Sequence, residues 1–224
     1  MKVYLSEFIG TALLLAVVAG SGIMGESLGA GNAAVALLGN SIATGAGLYV
    51  LISLLGPISG AHFNPVVSLM SWRLGQIDKT RLFGYWACQV AGAIAGILLT
   101  HCMFELPIIQ ESTKVRSGLG ILVSEFISTC VLLAVILLGE KEAKDRLPML
   151  VALTVTAGYW FTSSTFFANP AVALARSLTN TFVGIAPASV LGFVVAEILA
   201  ATFIIGLLIK QQPTHRNSKA FHTD

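Results

Sequence analysis

The hexapeptide Ser6-Glu7-Phe8-Ile9-Gly10-Thr11 returns 118 residues later as Ser124-Glu125-Phe126-Ile127-Ser128-Thr129, with five of six positions identical. Asn64-Pro65 returns 105 residues later as Asn169-Pro170. A chain made of two copies of one unit has few ways to fold, and the number of membrane crossings per unit decides among them. A hydrocarbon core of about 30 Å needs about 20 helical residues. Six apolar runs qualify: about Val3–Gly22, Asn32–Leu55, Leu82–Thr100, Gly118–Leu138, Leu147–Ser164 and Ile185–Ile209. Two further pieces, Asn64–Trp72 and Asn169–Leu178, cover only about 12–15 Å at 1.5 Å per residue. Asn is a strong N-cap and Pro is tolerated in the first turn, so each piece reads as a half-helix that starts at its Asn.

Composition agrees with a membrane chain. Charged residues make up 11% of the 224 residues, against about 25% in soluble domains. Hydrophobic residues reach 55% and the mean hydropathy is +0.84. These values exclude a disordered chain, an acidic tail protein and an ordinary cytosolic enzyme. A net charge of +2 leaves no basic face for nucleic acid. Cys88, Cys102 and Cys130 form no metal spacing or disulfide framework, and read as buried small hydrophobes. No nucleophile–base pair or phosphate loop is present, so neither catalysis nor a cofactor or metal is expected. The first run continues to Gly22 with Glu7 inside it, which fits a retained span better than a cleaved signal.

Each copy holds three spans, with its Asn-Pro half-helix between the second and third. Three is odd, so the second copy starts on the opposite side of the bilayer. The expected fold is therefore all-α: six transmembrane helices plus two re-entrant half-helices, as an inverted repeat. It forms one domain, 1–210, with repeats of about 3–101 and 118–209 and a tail at 211–224. With the N-terminus inside, ten Lys and Arg fall on the inner side and three (Lys114, Arg116 and Arg176) on the outer. This bias places both termini in the cytoplasm of a cell (inner) membrane protein. Non-helical backbone at membrane depth survives only when buried in protein or lining a watery cavity. The two half-helix N-termini, each worth roughly +0.5 elementary charge, are expected to meet near the midplane and repel cations. The Asn64 and Asn169 amides can cap their own helices and still offer an N–H to a passing oxygen.

Ser59-Gly60-Ala61-His62-Phe63-Asn64-Pro65-Val66 and Ala168-Asn169-Pro170-Ala171 resemble the paired motifs of the major intrinsic protein family, the aquaporins and aquaglyceroporins. The resemblance covers essentially residues 3–209 and includes the Ser-Glu-Phe-Ile elements and Gln89. It implies a homotetramer in the lipid bilayer, each subunit with its own pore for small neutral solutes. By position, Asn64 and Asn169 resemble the paired midplane donors. Glu7 and Glu125 resemble the glutamates that hold the re-entrant backbone, and His62 a pore-lining histidine. The first motif departs from Asn-Pro-Ala at Val66. The family usually has Arg after the second motif, where this chain has Val172. Carried over by offset from the two Asn residues, the resemblance implies a constriction at Thr44, Ala157, Phe166 and Val172. Small residues at two corners and no Arg imply a wide opening and a passive channel for water plus larger polyols, urea or metalloid hydroxides such as arsenite. A strict water channel and a coupled secondary transporter are the competing readings.

Other polar residues carry less. Glu197 has no evident repeat partner and is left unassigned. His101 reads as interfacial. Arg176 lies one helical turn beyond Val172 and is expected to snorkel outward, the alternative being that it partly replaces the missing charge. Gly92 and Gly96, and Gly192, Ala196 and Ala200, read as stripes for close helix crossings.

Overall fold

The computed structural model describes residues 1–211, with side chains through Leu208. Apart from Gln211, the expected tail 211–224 lies outside the described residues. Among the described residues eight α-helices follow one another: α1 (Lys2–Leu28), α2 (Ala33–Ser59), α3 (Pro65–Arg73), α4 (Lys79–Met103), α5 (Leu119–Glu142), α6 (Leu147–Phe161), α7 (Pro170–Arg176) and α8 (Pro187–Gln211). A short 3-10 turn, Lys144–Arg146, precedes α6. Helices α1, α2, α4, α5 and α8 are each long and apolar enough to cross a membrane.

The expected fifth span is shorter than the sequence suggests. Helix α6 has 15 residues, or about 22 Å at 1.5 Å per residue. It stops because Thr162 turns extended, and the Ser163 N–H leaves the helical ladder to bond the Ser124 hydroxyl at 2.8 Å. The chain beyond it belongs to the second re-entrant loop.

The two half-helices start where the Asn-Pro dipeptides place them. Asn64 caps α3 by accepting from the Val66 N–H at 3.0 Å, with Pro65 in the first turn. Asn169 caps α7 by accepting from Ala171 at 3.0 Å and Val172 at 3.4 Å. Helix α1 packs against α2 and α4, and α5 against α6 and α8, while α2 and α6 join the halves. The half-helices cross over: α3 also touches α8, and α7 touches α4. A Cβ added at Gly92 or Gly96 would run into the carbonyl oxygens of Phe8 or Ala12, so both glycines are required by the α1–α4 crossing.

The cysteines differ from expectation. Cys102 is exposed, and Cys88 and Cys130 are only partly covered, because their helix positions turn away from the interior. His101 is fully buried rather than interfacial. It bonds the Ile108 carbonyl and the Thr179 hydroxyl, each at 2.8 Å, and so pins the α4–α5 connection to the segment after α7.

Candidate functional site

The loops that lead into the two half-helices share one unusual backbone. Gly60, Ala61 and Phe63 have positive φ, and so do Thr165, Phe166 and Ala168, their counterparts 105 residues later. For residues with a Cβ this left-handed conformation is unfavourable by about 1–2 kcal/mol each, so the surroundings must enforce it. A buried carboxylate does so in the first loop. Glu7 Oε1 accepts from the His62 N–H at 3.0 Å and the Ser59 hydroxyl at 2.7 Å. Its Oε2 accepts from the Phe63 N–H and the Gln89 amide, each at 2.8 Å.

The second loop uses two carboxyl groups. Glu125 Oε1 accepts from the Ala168 N–H, and Glu197 Oε1 accepts from the Asn169 N–H at 2.8 Å. Glu125 Oε2 and Glu197 Oε2 are both buried without a hydrogen-bond partner. Glu197 thus has a repeat partner after all. It stands in α8 as Gln89 stands in α4, 108 residues earlier. Sequence comparison missed the pair because the residue type differs and the offset matches neither of the two obvious ones.

The two Asn side chains bind each other's loops. Asn64 Nδ2 donates to the Ala168 carbonyl at 2.7 Å, and Asn169 Nδ2 donates to the Phe63 carbonyl at 2.8 Å. Each amide therefore spends one N–H across the pseudo-two-fold and keeps its second. Both residues line a cavity of about 110 Å³ that also takes in His62, Thr44, Phe166 and Val172. His62 is held by the Ser68 hydroxyl at 3.0 Å and the Ser71 hydroxyl at 3.4 Å. Pro65 offers its carbonyl to the Trp86 indole at 2.9 Å. Val66 points away from the cavity into a cluster with Met70, Leu133 and Ile205. Pro170 opens α7 and Ala171 is buried behind it.

The cavity walls are helical stripes four residues apart. Helix α2 contributes Thr44, Leu48 and Ile52, and α6 contributes Leu147, Val151, Val155 and Tyr159. Successive helical residues turn by about 100°, so Ala157 is off this stripe. It is exposed on the outer face of α6, and Tyr159 takes the corner expected of it. The Tyr159 hydroxyl meets the Thr44 hydroxyl at 3.2 Å. This corner of the cavity is therefore aromatic rather than small, with its hydroxyl turned to Thr44.

Arg176 also differs from expectation. It does not snorkel but is 3% exposed and lines the cavity. Its Nε donates to the Val183 carbonyl, and its guanidinium carbon sits 3.5 Å from the Phe167 ring centroid. Arg116 from the α4–α5 connection approaches the same ring at 5.5 Å and donates its Nε to the Gly184 carbonyl at 3.0 Å. Nearby, burial lowers the pKa of the Lys114 ammonium. Glu26 opposes that shift, while Arg116 and Arg176 add to it.

The site is a largely apolar cavity with two paired amides on its wall, inside an inverted bundle of helices, and that is the construction of a solute channel. The major intrinsic protein family matches residues 1–185, and the chain belongs to this family of integral membrane channels, which are not enzymes. It is 52% identical over 203 residues to the aquaglyceroporin AqpS of Rhizobium meliloti, covering 91% of this chain and 87% of that protein. A probable glycerol uptake facilitator protein of Thermotoga maritima is 33% identical over 176 residues, 69% of this chain and 72% of its own. The fold matches the X-ray structure of the aquaglyceroporin from Plasmodium falciparum with a TM-score of 0.71. That match covers 93% of this chain and 97% of the other at 19% identity.

Proposed function

We propose that the protein is a passive channel for water and for neutral solutes larger than water: glycerol, urea and metalloid hydroxides such as arsenite. Val172 carries this reading. It lines the cavity beyond the paired Asn residues and supplies no hydrogen-bond donor and no charge. Of its neighbours, Phe166 is apolar, while Thr44 and Tyr159 turn their hydroxyls toward one another. A solute with hydroxyl groups and a carbon face can slide along such a wall, bonding the Asn64 and Asn169 amides deeper in. The names of two relatives, an aquaglyceroporin and a probable glycerol facilitator, support the polyol part of the proposal. The working unit is a homotetramer in the cell membrane with both termini in the cytoplasm. Asn64 and Asn169 stand at the bilayer midplane, Glu7 and Glu125 anchor the re-entrant loops, and His62 lines the pore.

Stopped-flow light scattering on proteoliposomes tests the reading with water, glycerol, urea and arsenite gradients. The expected result is flux of all four above empty liposomes, without any ion gradient. Flux of water alone would make it a strict water channel, and flux that requires an ion gradient would make it a coupled transporter.

A further inference from the structure

Arg176 is a buried cation that forms no ion pair among the described residues. No carboxylate lies within 4.0 Å of Arg176 or Arg116 among the described residues, where the ion pairs are Lys114–Glu26 and Lys141–Glu142. Its Nε is spent on the Val183 carbonyl, and its two Nη groups meet no protein acceptor there. Burial of a charged group is costly unless that group is paired and hydrogen-bonded. Two features offset part of this cost. The guanidinium stacks on Phe167, and Arg176 ends α7, where the helix dipole is negative. Neither satisfies the Nη donors; Arg116 and Lys114 add positive charge nearby, which Glu125 and Tyr159 offset only from a distance beyond ion-pair contact.

We propose that Arg176 is a binding site for a small oxyanion, and that the bound anion blocks the channel. This rests on the channel reading above. The Nη pair presents parallel N–H groups that match two oxygens of one carboxylate, sulfate or phosphate. Arg116 and Lys114 strengthen the field that draws the anion in. The stack on Phe167 and the Val183 bond hold the guanidinium in place, so little order is lost on binding. The anion docks but does not pass, because Val172 lies one helical turn nearer the paired Asn residues and, like Phe166 in the same lining, offers no group to replace its hydration. A neutral solute meets the same position without charge and is held less strongly.

The test measures water and glycerol flux in proteoliposomes with sodium sulfate on both sides, against sodium chloride at matched ionic strength and osmolarity. Inhibition is normalised to the sulfate-free flux of each variant. In the unmodified protein, sulfate should slow both fluxes to a saturating extent beyond chloride. Arg176→Met should abolish that inhibition. Arg116→Gln, whose side chain contributes charge without lining the cavity, should need more sulfate for half-inhibition. Absence of a sulfate effect in the unmodified protein overturns the proposal, as does equal inhibition in Arg176→Met. If Arg176→Met yields no working channel, an unshifted Arg116→Gln curve overturns it. Lack of glycerol flux in the absence of sulfate contradicts the wide-channel reading alone, since water flux still reports the block.

Discussion

Asn64 and Asn169 are tied to each other through the residue that precedes each of them. The Asn64 amide bonds the Ala168 carbonyl at 2.7 Å and the Asn169 amide returns the bond to the Phe63 carbonyl at 2.8 Å. Each side chain also caps its own half-helix. One residue type thus ends the loop, starts the helix and joins the two halves, while one N–H per amide remains for a solute. Aspartate would keep the cap but lose the donor, and leucine of similar size would lose both.

The first prediction follows from this double role. Asn169→Ala removes the cap of α7 and the bond to Phe63. Loss of an N-cap costs about 0.5–2 kcal/mol, and a buried carbonyl left unpaired about 1–3 kcal/mol. Thermal unfolding in detergent should therefore shift down by several degrees, and Asn169→Asp, which keeps the cap but sets a buried carboxylate oxygen against the Phe63 carbonyl, should lose at least as much. An Ala variant as stable as the parent would show that the cross-bond contributes nothing.

The second concerns the carboxyl groups. Glu7 accepts four donors. A Gln there would turn an NH2 group toward donors, so Glu7→Gln should lower stability by about 1–3 kcal/mol. Glu197 is different. Its Oε2 and the Oε2 of Glu125 are buried without a hydrogen-bond partner, so an amide in place of one carboxyl would remove a buried acceptor that no donor meets. Glu197→Gln would accept from Asn169 and donate to Glu125, as Gln89 does for Glu7. It should match or exceed the parent in thermal stability. Equal losses in both variants would contradict this asymmetry.

The third concerns helix packing. A side chain at Gly96 would strike the Ala12 carbonyl in the α1–α4 crossing. Overpacking of this kind costs typically about 1–3 kcal/mol, so Gly96→Val should lower yield and melting temperature. Gly39, with nothing near its absent Cβ, is the control: Gly39→Ala should be neutral or slightly stabilising.

Much of this architecture was legible in the sequence. The repeated Ser-Glu-Phe-Ile and Asn-Pro elements identify the inverted halves, and the Asn-Pro signals start both half-helices correctly. Glu7 and Glu125 could be paired with the loops because the repeated element that carries them resembles the family's. What escaped depended on rotation about a helix or on contacts between distant elements. Counting residues to Ala157 overlooked that Leu147, Val151 and Val155 already mark the inward stripe of α6, which leads to Tyr159. Arg176 looked like an exposed cation because charge seeks water. Only the fold brings Phe167 and the Val183 carbonyl around it. Glu197 was hidden because its counterpart is a glutamine.

The most direct test of the central claim is Val172→Arg, measured as glycerol and water flux in the same proteoliposome preparation at matched protein density. Arginine would bring charge and up to five donors into a wall formed by Thr44, Tyr159 and Phe166. Glycerol flux should fall several-fold more than water flux. Equal loss of both, or glycerol flux left intact, would contradict the assignment of the size limit to Val172.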